Sequence, residues 1–138
     1  MKSKMKTEIA KISDAEELEK IDEMGNNELS NWLPNKKSDF IKLIKNKSII
    51  VAKENNKILG YLSYRPDKES KWLWLEDIYV LKNFRNKGIA RLLVKEAIKY
   101  KDKKFPKRKL ILLTSDKNVK IFSKLGFKKT MDFMEYKK

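Results

Sequence analysis

The chain has 138 residues, 34 Lys and Arg against 19 Asp and Glu, and a formal net charge of +15. That length suits one domain with a single core. With neither Cys nor His present, disulfides, thiolate nucleophiles, imidazole bases and Cys- or His-ligated metals are excluded, so any chemistry rests on carboxylates, Lys, Tyr, backbone N–H groups and a bound cofactor.

Taken in chain order, residues 7–12 (TEIAKI) read as a short strand. Ser13 or Asp14 then caps a helix to about Met24, with Ile12, Leu18 and Ile21 available to the core. Phe40, Ile41 and Ile44 make an apolar stripe that predicts a second helix over Ser38–Lys45. SIIVAKENNKILGYLSYRP reads as a hairpin, strands 48–53 and 57–65 around the polar turn Glu54-Asn55-Asn56. WLWLEDIYV (72–80) is apolar on both parities apart from Glu76 and Asp77, the pattern of a central strand buried on both faces. The helix that follows from Gly88 would bury Ile89, Leu92, Leu93, Ala97 and Tyr100. A strand at 109–114, a short helix at 116–125 ended by Gly126, and a last hairpin (FKKT, DFMEYK) complete the chain. The predicted order is β-α-α-β-β-β-α-β-α-β-β over a single domain, 1–138. A strand–helix–strand crossover gives local parallel pairing in a mixed, mostly antiparallel α/β sheet flanked by helices.

Charge is unevenly spread. Residues 82–109 hold twelve Lys and Arg against Glu96 and Asp102, whereas residues 8–28 hold eight acids against Lys11 and Lys20. The positive field is therefore centred on the turn Arg85-Asn86-Lys87-Gly88-Ile89-Ala90 and the helix after it. A strand turning sharply into a helix leaves several N–H groups without carbonyl partners, pointing one way. Gly88 admits close approach there, and Arg85, Lys87 and Arg91 surround the point. These are the features of a pyrophosphate seat. The spacing Arg-x-x-Gly-x-Ala lacks the glycines of a dinucleotide fingerprint and the Lys-Ser/Thr pair of a Walker loop.

The hexapeptide resembles the Arg/Gln-x-x-Gly-x-Gly/Ala motif of the GNAT superfamily of N-acetyltransferases. WLEDIYVLKNFRNKGIARLLVKEAI (74–98) is similar to that family's central strand, pyrophosphate loop and next helix, and KLILLTSDKNVKIFSKLGFKKT (109–130) to its next strand and short helix ending in Leu-Gly-Phe. The resemblance implies an acetyl-CoA-dependent N-acetyltransferase, with acetyl-CoA as donor co-substrate and no metal. The backbone of Ile78, Tyr79 and Val80 would bond the pantetheine arm as an added strand does. The N–H groups of Asn86, Lys87, Gly88, Ile89, Ala90 and Arg91 would take the pyrophosphate beside Arg85. Glu76 matches the Glu that serves as base in spermidine/spermine-type members. Adjacent strand residues point to opposite faces, so either Glu76 or Asp77, but not both, is expected to serve the cleft. Ser115 aligns with the family's Asn ahead of the short helix. Phe122 falls where the family often has a general-acid Tyr, and so supplies no proton to the leaving thiolate.

A thioester is already activated, so transfer asks the protein chiefly to position and deprotonate. The acidic stretch 8–28 suggests a cationic acceptor if it borders the cleft, and solvated helix charge if it does not. Small amines and protein amines both remain open as acceptors. Phe122 motivates an alternative, a catalytically inactive acyl-CoA-binding module. KDKKFPKRK (101–109) motivates a less favoured one, a basic nucleic-acid binder. No apolar run reaches the ~18 residues of a membrane span, and the N-terminus leads into TEIAKISD rather than an apolar stretch, so a soluble cytoplasmic protein without a membrane partner is expected. A homodimer is left open.

Overall fold

The computed structural model describes residues 5–29, 34–114, 116–131 and 134–137. Five strands form one sheet in the order β1 (Met5–Ile9), β2 (Ile49–Glu54), β3 (Lys57–Pro66), β4 (Trp72–Val80), β5 (Lys109–Ile111). Neighbours pair antiparallel except β4 and β5, which are parallel across the crossover helix α3 (Ile89–Lys104). Helices α1 (Ala15–Leu29) and α2 (Lys37–Lys45) lie between β1 and β2 in sequence, and α4 (Asp116–Lys124) follows β5. The mixed, mostly antiparallel α/β class and the element order through α4 agree with the sequence reading.

Local chemistry explains the elements. Asn55 and Asn56 both take positive φ (53° and 64°) between the paired residues Glu54 and Lys57, the mirror-image turn that matches strand twist. Gly126, at φ 99°, lets α4 stop: the Gly126 N–H bonds the Ser123 carbonyl at 3.1 Å and the Phe127 N–H bonds that of Phe122 at 3.1 Å. The sheet buries one apolar cluster on each face. Leu18, Ile21, Phe40 and Ile44 pack on Val51, Tyr61 and Tyr79 on one side. On the other, Leu93, Val94 and Ala97 pack on Leu62, Tyr64, Leu73 and Leu75.

Four expectations are corrected. The first strand runs Met5–Ile9 rather than 7–12, so Ile12 falls in a short 3-10 turn and is 51% exposed instead of joining the core. Leu92 is 41% exposed and Val94 takes its place in the buried side of α3, because the helix turns its Ile89–Leu93–Val94–Ala97 edge to the sheet. The fifth strand stops at Ile111, short of residue 114. The expected last hairpin is not formed among the described residues: 127–131 and 134–137 carry no strand. Phe127 packs its ring on Phe122 at 5.8 Å, Lys128, Lys129 and Thr130 are exposed, and so the segment offers no alternating apolar face to a sheet edge only three residues long.

The acidic stretch is mostly spent inside the fold. Glu8 and Asp14 hold Lys53 Nζ at 3.0 and 2.8 Å, and all three side chains are largely buried. Glu17 accepts the Ile58 N–H at 2.8 Å and Glu19 the Lys37 N–H at 2.6 Å. Asp22, 1% exposed, accepts the Tyr61 hydroxyl and the Asn35 N–H, each at 2.6 Å. Five of the eight acids thus tie α1 and its approach to the sheet and to α2.

Candidate active site

The site begins where β4 loses its neighbour. Strand β5 pairs only with Trp72, Leu73 and Trp74, so beyond Trp74 the β5-side edge of β4 has no strand beside it among the described residues. On the other edge Ile78, Tyr79 and Val80 pair with Leu62, Tyr61 and Gly60. A sheet split open on one side offers free main-chain donors and acceptors to an extended ligand.

At the far end of that split the chain turns into α3. Gly88 caps the helix in the left-handed region (φ 81°, ψ 10°), and Asn86 is left-handed too at φ 63°. The first intrahelical bond is Leu92 N–H to the Gly88 carbonyl, 3.1 Å. The N–H groups of Ile89, Ala90 and Arg91 therefore have no carbonyl of the helix to bond. An ideal Cβ on Gly88 would meet no atom within 4 Å, so the space before the loop is open. Together these make an anion cradle at the positive end of the helix. Asn86, Lys87, Ala90 and Arg91 are exposed around it, while Ile89 is buried as an anchor.

Arg85 stands between the cradle and the end of β4. Its Nε donates to the Val80 carbonyl at 2.9 Å, and its guanidinium lies 5.3 Å from the centroid of the Tyr79 ring. It braces the loop against the end of β4. Of the remaining basic residues, Arg108 is spent on the backbone carbonyls of Asp67, Ser70 and Trp72 at 3.0–3.3 Å. Lys82, Lys95 and Lys99 are exposed and supply the field over the outside of α3.

The acids on β4 occupy one face, contrary to the alternation rule. Tyr61, Ser63 and Arg65 point to the α1/α2 face, and their ladder partners are Tyr79, Asp77 and Trp74. Trp74 and Asp77, three residues apart, share a face because the register slips between Ser63 and Tyr64, and Glu76 is the extra residue of a β-bulge. Glu76, its side chain 39% exposed, is bound through Oε1 by Arg65 Nε on the same side. A recess of about 470 Å³ is lined by Arg65, Trp74, Leu75, Glu76, Asp77 and Leu113. Leu113 follows β5, so the recess lies at the mouth of the β4–β5 split. The Ser63 hydroxyl donates to Asp77 Oδ2 at 3.3 Å. Burial, then the negative charges of Glu76 and Asp22, push the Asp77 carboxyl above the usual range, and the Ser63 hydroxyl offsets part of that rise.

Sequence reasoning missed Arg65, Trp74, Ser63 and Leu113 as parts of the recess. The period of β4 carries no sign of the bulge, since the slip is a property of the β3–β4 pair. Phe122 is partly buried, stacks edge-on against Phe127, and lines a second, larger cavity with Ile98, Val119 and Leu125. Ser115 lies outside the described residues.

The model of the acetyltransferase (GNAT) family matches residues 13–127. No curated protein sequence matches the chain. Among solved structures, an aminoglycoside N-acetyltransferase, AAC(6')-Iy, in complex with CoA superposes with a TM-score of 0.76 at 20% identity, covering 100% of this chain and 97% of that one. A predicted acetyltransferase with acetyl-CoA from Clostridium acetobutylicum gives 0.72 at 19% identity, over 97% and 96%. The PaiA N-acetyltransferase of Thermoplasma acidophilum in complex with coenzyme A gives 0.69 at 18%, over 89% and 87%. These likenesses establish the fold.

Proposed function

Because the chain belongs to the acetyltransferase (GNAT) family, we propose that it transfers the acetyl group of acetyl-CoA directly to a primary amine. The observation that carries this reading is the alignment of two openings: the β4 edge beyond Trp74, which has no strand beside it among the described residues, leads to the open cradle at Gly88. Pantetheine would add to β4 as a strand at Ile78, Tyr79 and Val80, and the pyrophosphate would sit on the N–H groups from Asn86 to Arg91. Similar structures that hold CoA or acetyl-CoA support the donor.

The acceptor amine would enter the recess between Trp74 and Leu113, where a carboxylate of β4 removes its proton. Glu76 has the sequence match to the family's base, and the bulge brings Asp77 to the same recess. A β4 N–H near Ile78 would stabilise the oxyanion of the tetrahedral intermediate. The thiolate is a fair leaving group without a hydroxyl at Phe122.

Acetyl-CoA with a panel of amines (spermidine, an aminoglycoside, a lysine peptide), read as thiol release, tests the proposal. Amine-dependent release is expected. Phe122 favours a second reading, an acyl-CoA-binding module, and coenzyme binding without release from any amine of the panel would establish it instead. RNA binding that survives saturating coenzyme A would favour a nucleic-acid role for the basic surface.

A further inference from the structure

Two carboxylates in one recess are divided by their surroundings. Glu76 stands at the exposed edge, and Arg65 Nε takes its Oε1. A proton can be received at that oxygen only by breaking the ion pair. Asp77 lies deeper, facing the Ser63 hydroxyl at 3.3 Å across the ladder. Among the described residues, the groups turned toward Asp77 are Glu76 and Tyr79 of β4, Tyr61, Ser63 and Arg65 of β3, and Asp22 of α1. Helix α2 turns Phe40 and Ile44 to this side, and Leu113 adds an apolar wall beyond β5. The one cation in that set, Arg65, is engaged with Glu76. The Tyr61 hydroxyl is committed to Asp22 at 2.6 Å.

We propose that Asp77, and not Glu76, takes the proton from the acceptor amine, Glu76 being held by Arg65 as a fixed charge beside it. This rests on the acetyltransferase reading above. An ammonium entering the recess gives one proton to the Asp77 carboxylate, and the N–H electron pair becomes the nitrogen lone pair. That lone pair forms the C–N bond at the thioester carbonyl while the C=O π pair moves to oxygen. Collapse restores the C=O bond and breaks C–S, and the sulfur leaves with its pair. The second nitrogen proton neutralises the thiolate, and Asp77 releases its proton to solvent. The direction of the Asp77 shift accords with the role: a carboxyl pushed up by burial and like charge is a better proton acceptor near neutral pH.

The test compares Asp77→Asn with Glu76→Gln in amine-dependent thiol release from acetyl-CoA across pH. Asp77→Asn should lower kcat about 10²–10⁴-fold at neutral pH, with the loss shrinking as pH rises and free amine becomes abundant, and with coenzyme A still raising Tm. Glu76→Gln should lower kcat less and move the acidic limb of the profile to lower pH, because Asp77 loses a negative neighbour. An acidic limb erased by Glu76→Gln and kept by Asp77→Asn would overturn the assignment, as would two variants with wild-type profiles. If no amine supports turnover, the transferase reading fails separately. The carboxyl ¹³C titration of the coenzyme-A-saturated protein then decides the geometry. A raised Asp77 midpoint that falls in Glu76→Gln supports it, and an ordinary midpoint refutes it.

Discussion

Gly88 allows the cradle to be tested by separating strain from occlusion. Its φ of 81° lies where an L-residue pays about 1–2 kcal/mol, whereas Asn tolerates that region. A Cβ there meets no protein atom within 4 Å, so substitution costs the free protein only that backbone penalty. Gly88→Asn should therefore leave the unliganded Tm nearly unchanged. Gly88→Val, branched at Cβ, should lose at least about 1–2 kcal/mol, and about 1 kcal/mol moves Tm by roughly 2–8 °C in domains of 60–250 residues. Coenzyme A at about 100 times its Kd should stabilise the native chain by about 2.7 kcal/mol. Both variants should forfeit that increment, because both put a side chain where the diphosphate would lie. Thermal unfolding with and without coenzyme A measures each of these quantities. If Gly88→Asn and Gly88→Val keep the full increment at the same concentration, the diphosphate is not held at this loop.

Lys53→Met leaves Asp14 and Glu8 facing each other without their cation, and should cost about 3–5 kcal/mol in urea unfolding; a loss under about 1 kcal/mol would mean water reaches the triad. Glu8 is held below its usual value chiefly by its hydrogen bond to Lys53, so its contribution is present above the unfolded carboxyl pKa and disappears as pH falls through the folded one; the stability gap between native chain and Glu8→Gln should close in that acid range. Tyr61→Phe removes one of the donors to buried Asp22 and should cost about 1.5–3 kcal/mol, and an unchanged midpoint would contradict the network. Asp77 is pushed up on folding, so its charge opposes folding above the folded pKa and ceases to do so once it is protonated. Asp77→Asn should raise Tm at neutral pH, with the gain vanishing in acid, and a destabilised variant at neutral pH would show that the Ser63 contact outweighs the buried charge.

Much of the fold was legible because it is written in local terms. The apolar strand 72–80, the Gly turn and the stripe of α3 each follow from spacing along one segment, and Asn55-Asn56 follows from turn chemistry. What stayed hidden depends on pairs of segments. The bulge at Glu76 exists because β3 and β4 slip by one residue, and no alternation count within WLWLEDIYV reveals it. That slip turned a choice between two acids into a shared recess. The acids of 8–28 read as a charged helix face, yet their partners Lys53, Ile58 and Tyr61 lie far off in sequence. Leu92 and Val94 differ by about 200° around a helix of 3.6 residues per turn, and only the packing of α3 on β2 and β3 selects between them. The β4–β5 split depends on where β5 ends, and nothing within either segment marks that point.

The central claim is best tested by following backbone amides in a ¹⁵N–¹H titration with coenzyme A. The largest shifts should fall on residues 86–91 and 78–80, together marking the cradle and the edge of β4 beyond its pairing with β5. Shifts confined to the Lys-rich 101–109 segment, or none at saturating coenzyme, would contradict it.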